Sequence, residues 1–207
     1  MKLPTTDEPR KPEHGKESAI SFNIEIKAGV EDFEPLESVL IELGARKAGI
    51  LIQEDRYFKV PQGRIKIRKH ADGHAEVIHY FRPDTDGPRG SEYKRFTTKE
   101  PDVLNDVLAT VLGSLGTVRK ERTLYLLENT RIHLDRVEGL GRFMELEVVL
   151  NSDSEAEQGI KTARSIMAAL GIDPDRLIPG SYIDLLLAKG DDQRQHRSGE
   201  IKDGRDS

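Results

Sequence analysis

The stretch that most constrains this chain runs from Arg119 to Leu150, RKERTLYLLENTRIHLDRVEGLGRFMELEVVL. Read with a period of two, it sets Lys120 and Arg122 on one strand face. Arg131, His133 and Asp135 then share a face, as do Glu145 and Glu147. Behind the later sets lie Ile132 and Leu134, then Met144, Leu146 and Val148. The Glu138-Gly139-Leu140-Gly141 link reads as a hairpin turn, because glycine reaches the positive φ that a sharp reversal demands. Three successive strands thus carry charge on one side and oil on the other. Either the charged side is the wet outside of a sheet, or it lines an interior.

The rest of the chain repeats the pattern. FNIEIKAGV alternates Asn23, Glu25 and Lys27 with Phe22, Ile24 and Ile26; RIKIRKH alternates Arg64, Lys66 and Arg68 with Ile65 and Ile67. Lys47 to Val60, AEVIHYFRP (Tyr80 and Arg82 on one face) and SEYKRFTT read as further strands. Helical spacing predicts helices over Asp32 to Gly44, Glu100 to Leu115 and Ser152 to Leu170, the last opened by a Ser152-x-x-Glu155 capping box. Ser181 to Ala188 reads as a short apolar helix, a lid over the body. Strands joined by short turns make the sheet largely antiparallel and the class α+β. The polar, Pro-containing residues 1–20 and the stretch 191–207 read as disordered tails around a single domain, 21–190.

Charge decides which partners to consider. With 32 basic and 37 acidic residues, the net charge of −5 offers no global field for a nucleic acid. A small anion feels only the local field, and here the signs segregate by strand. Bases crowd the strands of Lys66, Arg82 and Lys120, whereas acids recur as one Glu on the first strand and a Glu-x-Glu pair on the last. A polyanion needs several cations, and nearby carboxylates would repel it unless a divalent ion bridges the two. The absence of cysteine excludes disulfides and thiolate metal sites. No apolar run reaches the roughly 20 residues of a spanning helix, and no apolar leader opens the chain. No membrane partner and a cytoplasmic location are therefore expected. There is no Gly-rich phosphate loop. His70, His74 and His79 fit no zinc spacing and read as surface residues.

Taken in order, Asn23-x-Glu25-x-Lys27, Gln53-x-Asp55-x-Tyr57-Phe58, Gly63-Arg64-x-Lys66-x-Arg68, Tyr80-x-Arg82, Lys120-x-Arg122, His133-Leu134-Asp135 and Phe143-x-Glu145-Leu146-Glu147 resemble the CYTH superfamily of triphosphate tunnel metalloenzymes. The likeness runs from about Phe22 to Leu187 and is strongest to the class IV adenylate cyclase-like branch. It implies an eight-stranded closed antiparallel barrel, a tunnel with a polar, charged interior, flanked by helices. It implies a Mg²⁺- or Mn²⁺-dependent enzyme acting on a small-molecule triphosphate, with a homodimer possible. By that resemblance Glu25, Glu145 and Glu147 are metal ligands. Lys27, Lys66, Arg68, Arg82, Lys120 and Arg122 hold phosphates, joined by Arg64 on the same strand face. Lys27 or Asp135 would assist proton removal. Conversion of ATP to cyclic AMP and pyrophosphate is the leading expectation. Hydrolysis of tripolyphosphate, thiamine triphosphate or nucleoside triphosphates is the alternative, and a non-catalytic polyphosphate- or nucleotide-binding module is a third. Asn23 departs from the family's Glu at the first motif, as does Val149 from a third Glu of some members at the last. Both departures leave fewer carboxylates for a second ion than for a first.

Overall fold

A computed structural model describes residues 21–81 and 89–200. Arg82, the expected tail 1–20 and residues 201–207 lie outside them. The chain has strands β1 (Ser21–Gly29), β2 (Arg46–Phe58), β3 (Arg64–His70), β4 (Ala75–Phe81), β5 (Arg89–Thr98), β6 (Ser114–Leu127), β7 (Thr130–Val137) and β8 (Gly141–Leu150), with α-helices after β1, after β5 and after β8. These are α1 (Glu34–Glu42), α2 (Pro101–Leu112), α3 (Ala156–Ala169) and α4 (Tyr182–Glu200). The strands close into a barrel in the order β1-β5-β4-β3-β2-β6-β7-β8, every pairing antiparallel. Closure pairs every strand on both sides and leaves no edge.

The oil lies outside the barrel wall. Ile24 and Ile26 of β1, Ile132 and Leu134 of β7, and Met144, Leu146 and Val148 of β8 pack under α1 and α3, against Leu36, Leu40, Ala163, Ile166 and Met167. Across the barrel, Phe58, Ile67 and Val77 pack under Leu104, Leu108 and Leu112 of α2. With these apolar faces committed to helices, alternation sends the charged faces of the same strands inward. Helix α4 closes one end: Tyr182 and Ile183 pack on Tyr57, Val118, Val137 and Phe143. Among the described residues, no helix is long and apolar enough to cross a membrane.

Three helix boundaries differ from the periodicity. Helix α2 stops at Leu112 rather than Leu115, because Gly113 turns the chain at φ +79° and β6 starts at Ser114. Ser152 does not cap α3. Its hydroxyl meets Ser154 at 2.7 Å, a 3₁₀ turn occupies Asp153–Glu155, and the Glu155 carboxylate accepts from the Asn151 N–H at 3.0 Å. Helix α4 runs past Ala188 to Glu200, into the stretch 191–207.

The seat of α3 rests on one glycine. A Cβ at Gly159 would come within 2.8 Å of Ile24 Cγ1 and Leu150 Cδ2, so the helix approaches β1 and β8 as closely as it does only without a side chain there. Gly159→Ala is therefore expected to destabilise the fold by about 1–3 kcal/mol, the cost of overpacking exceeding the gain in helix propensity. Urea unfolding of the two proteins checks this.

Candidate functional site

Register builds the site. Along β1, β8 and β7 the inward positions pair as Lys27↔Glu145↔His133 and Glu25↔Glu147↔Arg131. Arg122 of β6 faces Asp135 of β7, Asp55 of β2 faces Arg68 of β3, and Tyr57 faces Lys66. All of these except Asp55 and Asp135, with Lys120, Tyr80, Tyr93, Ser181 and Tyr182 among others, line a cavity of about 300 Å³ inside the barrel. Of the residues read from the sequence, Glu25, Lys27, Lys66, Arg68, Lys120, Arg122, Glu145 and Glu147 are all in its wall.

Two expected residues stand apart. Arg64 is on the correct face of β3, but its Nη2 donates to Asp184 Oδ2 of α4 at 2.8 Å and it is absent from the cavity wall. Asp135 is 0 % exposed and saturated: Arg122 donates through Nε at 2.7 Å and Nη2 at 2.6 Å, and the Tyr182 hydroxyl donates at 2.8 Å. Burial alone would raise its carboxyl; Arg122 overrides that and holds it below the usual range. Lys27 is held at the α4 end, its Nζ 2.9 Å from Glu145 Oε1, donating to the Gly180 carbonyl at 3.2 Å and lying 4.1 Å from the Tyr182 ring centroid.

Asp55, present in a motif but not singled out as a site residue, organises the cationic wall. It is 0 % exposed and accepts from Lys66 at 2.7 Å, Arg68 at 2.6 and 2.8 Å, and Lys120 at 3.0 Å. Burial would raise its carboxyl, but Arg68, Lys120 and Lys66 keep it well below the usual carboxylate range. The same crowding acts on the lysines. Burial first, then Arg68, pulls the Lys66 ammonium down to about 7, with Asp55 opposing. Burial also lowers the Lys120 ammonium. Such lysines are short of counter-charge, the condition in which a polyanion binds best.

A stability consequence follows. Between about pH 7 and 10 the unfolded chain keeps a proton on Lys66 that the folded chain gives up. The unfolded state then binds more protons, so stability rises with pH across that window. The urea midpoint should climb from pH 7 to pH 9, and Lys66→Met should flatten the climb.

The acidic wall is organised differently. Glu145, Glu147 and His133 bring one ligand atom each within 4.8 Å of one another. His133 Nδ1 is buried with no hydrogen-bond partner, 3.9 Å from Glu145 Oε2 and 3.8 Å from Glu147 Oε1. An orphaned imidazole nitrogen facing two carboxylates fits a divalent cation, and one nitrogen with two oxygens suits Mn²⁺ at least as well as Mg²⁺. Meanwhile the carboxylates are balanced by cations: Glu145 contacts Lys27 and Arg122, and Glu147 lies 2.9 Å from Arg131 Nε. Burial would raise both carboxyls; Lys27 and Arg122 lower Glu145, and His133 and Arg131 lower Glu147. Glu25 lines the cavity beside Glu147 in register but is outside the group of three. Asn23, in place of the family's first Glu, is 2 % exposed and its side-chain amide lies 3.2 Å from Arg131 Nη2. The sequence reading set His133 on one face with Arg131 and Asp135 but did not count it among the metal ligands. Its parity with Glu145 across β7 and β8 was the available signal.

Comparison with known proteins agrees with this geometry. The chain is 28% identical over 179 residues to a Methanocaldococcus jannaschii protein named "Putative adenylate cyclase MJ0240", covering 79% of this chain and 98% of that one. The structure of a Pyrococcus horikoshii protein, PH1012, is 28% identical and superposes with a TM-score of 0.70, covering 79% of this chain and 98% of that one. A Hippeastrum protein described as "Putative adenylyl cyclase HpAC1" with "a dominant triphophatase activity" shares the fold alone, at 14% identity and a TM-score of 0.57 over 82% of this chain and 96% of that one. The CYTH domain profile matches residues 21–182, from the first strand of the barrel to the plug residue Tyr182. This chain belongs to the CYTH family.

Proposed function

We propose that this chain binds the triphosphate of a nucleotide inside the barrel and converts ATP to cyclic AMP and pyrophosphate in a divalent-metal-dependent reaction. The observation that carries the reading is the split wall. Lys66, Arg68 and Lys120 converge on one buried carboxylate, while Glu145, Glu147 and His133 stand together on β7 and β8. Phosphate oxygens would replace Asp55 as the partners of Lys66, Arg68 and Lys120. Lys27 and Arg122 would turn from Glu145 toward the phosphates when Glu145, Glu147 and His133 take a cation. That cation would supply charge neutralisation at the phosphates. The inward apolar residues Leu51 and Leu124 would give a base somewhere to rest away from α4.

In this scheme Lys120, Arg68 and Arg122 stabilise charge that grows on the departing pyrophosphate, since preset cations in a site that excludes water need no reorganisation. Asp135 orients Arg122 and leaves proton removal to another group, because both its oxygens already accept from Arg122 and Tyr182. Lys27, whose Nζ lies 2.9 Å from Glu145 Oε1, would assist as the ribose oxygen loses its proton.

The volume favours a second reading. A cavity of about 300 Å³ is at the small end of ligand sites and suits a bare triphosphate better than a whole nucleotide. Hydrolysis of tripolyphosphate or thiamine triphosphate is that reading. One panel separates the two: the chain with Mn²⁺ or Mg²⁺ and, separately, ATP, tripolyphosphate and thiamine triphosphate, products resolved by chromatography. Cyclic AMP with pyrophosphate supports the first reading; phosphate release alone supports the second. Binding without turnover under either metal overturns both and leaves a polyphosphate-binding module.

A further inference from the structure

The hairpin joining β3 to β4 holds a second group of metal-type ligands. His70 ends β3, His74 follows the turn, and Glu76 is the second residue of β4, giving the spacing His-x-x-x-His-x-Glu. One ligand atom from each is within 4.8 Å of the others. The imidazole centroids are 5.3 Å apart, and His70 Nε2 is 3.2 Å from Glu76 Oε2. The expectation that these histidines are plain surface residues fails for His70, whose side chain is 17% exposed and lines the cavity.

The backbone holds the set in place. His70 N–H donates to the His74 carbonyl at 2.8 Å, and Gly73 N–H donates to the His70 carbonyl at 3.0 Å. His74 N–H donates to Asp72 Oδ1 at 2.9 Å, and Gly73 makes the reversal at φ +84°. A hairpin closed this way presents both imidazoles before any ion arrives, which lowers the ordering cost of binding. Glu76 has a competitor in Arg95 Nη1, 3.7 Å from its Oε1, which stays near enough to orient the carboxylate.

We propose that His70, His74 and Glu76 form a separate site for a borderline transition metal of the zinc class, at the tunnel end away from α4. Two imidazoles and one carboxylate make the three-ligand set that leaves a fourth position open on zinc. Magnesium, which demands oxygen, is disfavoured. The site is distinct from the β7–β8 group: β3 and β7 are separated by β2 and β6 around the barrel, and no ligand is shared. Because His70 and Glu76 line the cavity, an ion there would sit where a polyanion enters.

The test is a Zn²⁺ titration of the untagged full chain by calorimetry, for wild type, His74→Ala and Glu76→Gln. His74 is exposed, so its removal leaves the barrel intact, and metal-free thermal melts check that all three proteins fold alike. Each substitution should weaken one class of Zn²⁺ site by tenfold or more, while Mn²⁺ binding, followed by electron paramagnetic resonance, stays as in wild type. Zn²⁺ isotherms that superimpose on wild type would overturn the proposal. A loss confined to one of the two variants would overturn the three-ligand set. Disappearance of all Zn²⁺ binding in Glu147→Gln would show that only the β7–β8 group holds metal, and would also overturn it.

Discussion

Asp55→Asn is expected to lower the melting temperature of the ligand-free chain by about 10 °C, and tripolyphosphate is expected to restore most of the loss. The carboxylate is 0 % exposed and is the shared acceptor of Lys66, Arg68 and Lys120. Neutralising it leaves three buried cations facing one another. Breaking a buried ionic group by removing one partner costs roughly 3–5 kcal/mol, and for a domain of this size each kcal/mol shifts the midpoint by about 2–4 °C. Tripolyphosphate supplies the missing negative charge at the same place, so it should stabilise the variant more than the wild type. Thermal melts with and without tripolyphosphate measure both effects. A variant that melts with the wild type would mean that Asp55 does not gather these cations.

Glu145→Gln combined with Glu147→Gln should reduce metal-dependent turnover by about 10²–10³-fold while leaving metal-free anion binding intact or tighter. The two carboxylates are two of the three groups that face a common point with His133. Losing charge stabilisation of several kcal/mol at the phosphates corresponds to that drop in rate. The same carboxylates now neutralise Lys27, Arg122 and Arg131. Their removal frees cations for the anion, so binding and turnover should move in opposite directions. Steady-state rates with Mn²⁺ and calorimetry with tripolyphosphate in chelator give the two readouts. Parallel loss of both would assign these residues to the fold.

How far the sequence carries follows from what each signal encodes. Parity along a strand is local, so Glu25, Lys27, Lys66, Lys120 and Glu147 could be placed on one face without knowing the fold, and the lining of the cavity matches. Parity does not say which residues meet across strands. The three-way convergence on Asp55 depends on β3 and β6 both flanking β2, and the Glu145–His133 proximity depends on the β7–β8 register. Arg64 has the right parity, but α4 delivers Asp184 to it from 120 residues away, a contact no spacing rule contains. The same helix puts Tyr182 against Asp135 and so explains why that acid is saturated. Tyr57 and Phe58, adjacent in sequence, face opposite sides. Tyr57 points into the tunnel beside Lys66, and Phe58 points out under α2. The boundary errors at Leu115 and Ser152 are local events, a positive-φ glycine and a 3₁₀ turn, that helical periodicity runs across.

Two neighbours on β6 test the account most directly. Arg119 points outward to Glu54 with its side chain 57% exposed, and Lys120 points inward to Asp55 with its side chain 2% exposed. Substituting Met at either removes the same unit of charge from almost the same place in the chain. Calorimetric titration with tripolyphosphate should show Lys120→Met weakened by about 10- to 100-fold, the worth of a charge-assisted contact, and Arg119→Met changed by less than about twofold, as for a screened surface charge. Equal losses in the two variants would mean that the anion responds to the overall charge of the protein and not to an enclosed cationic wall.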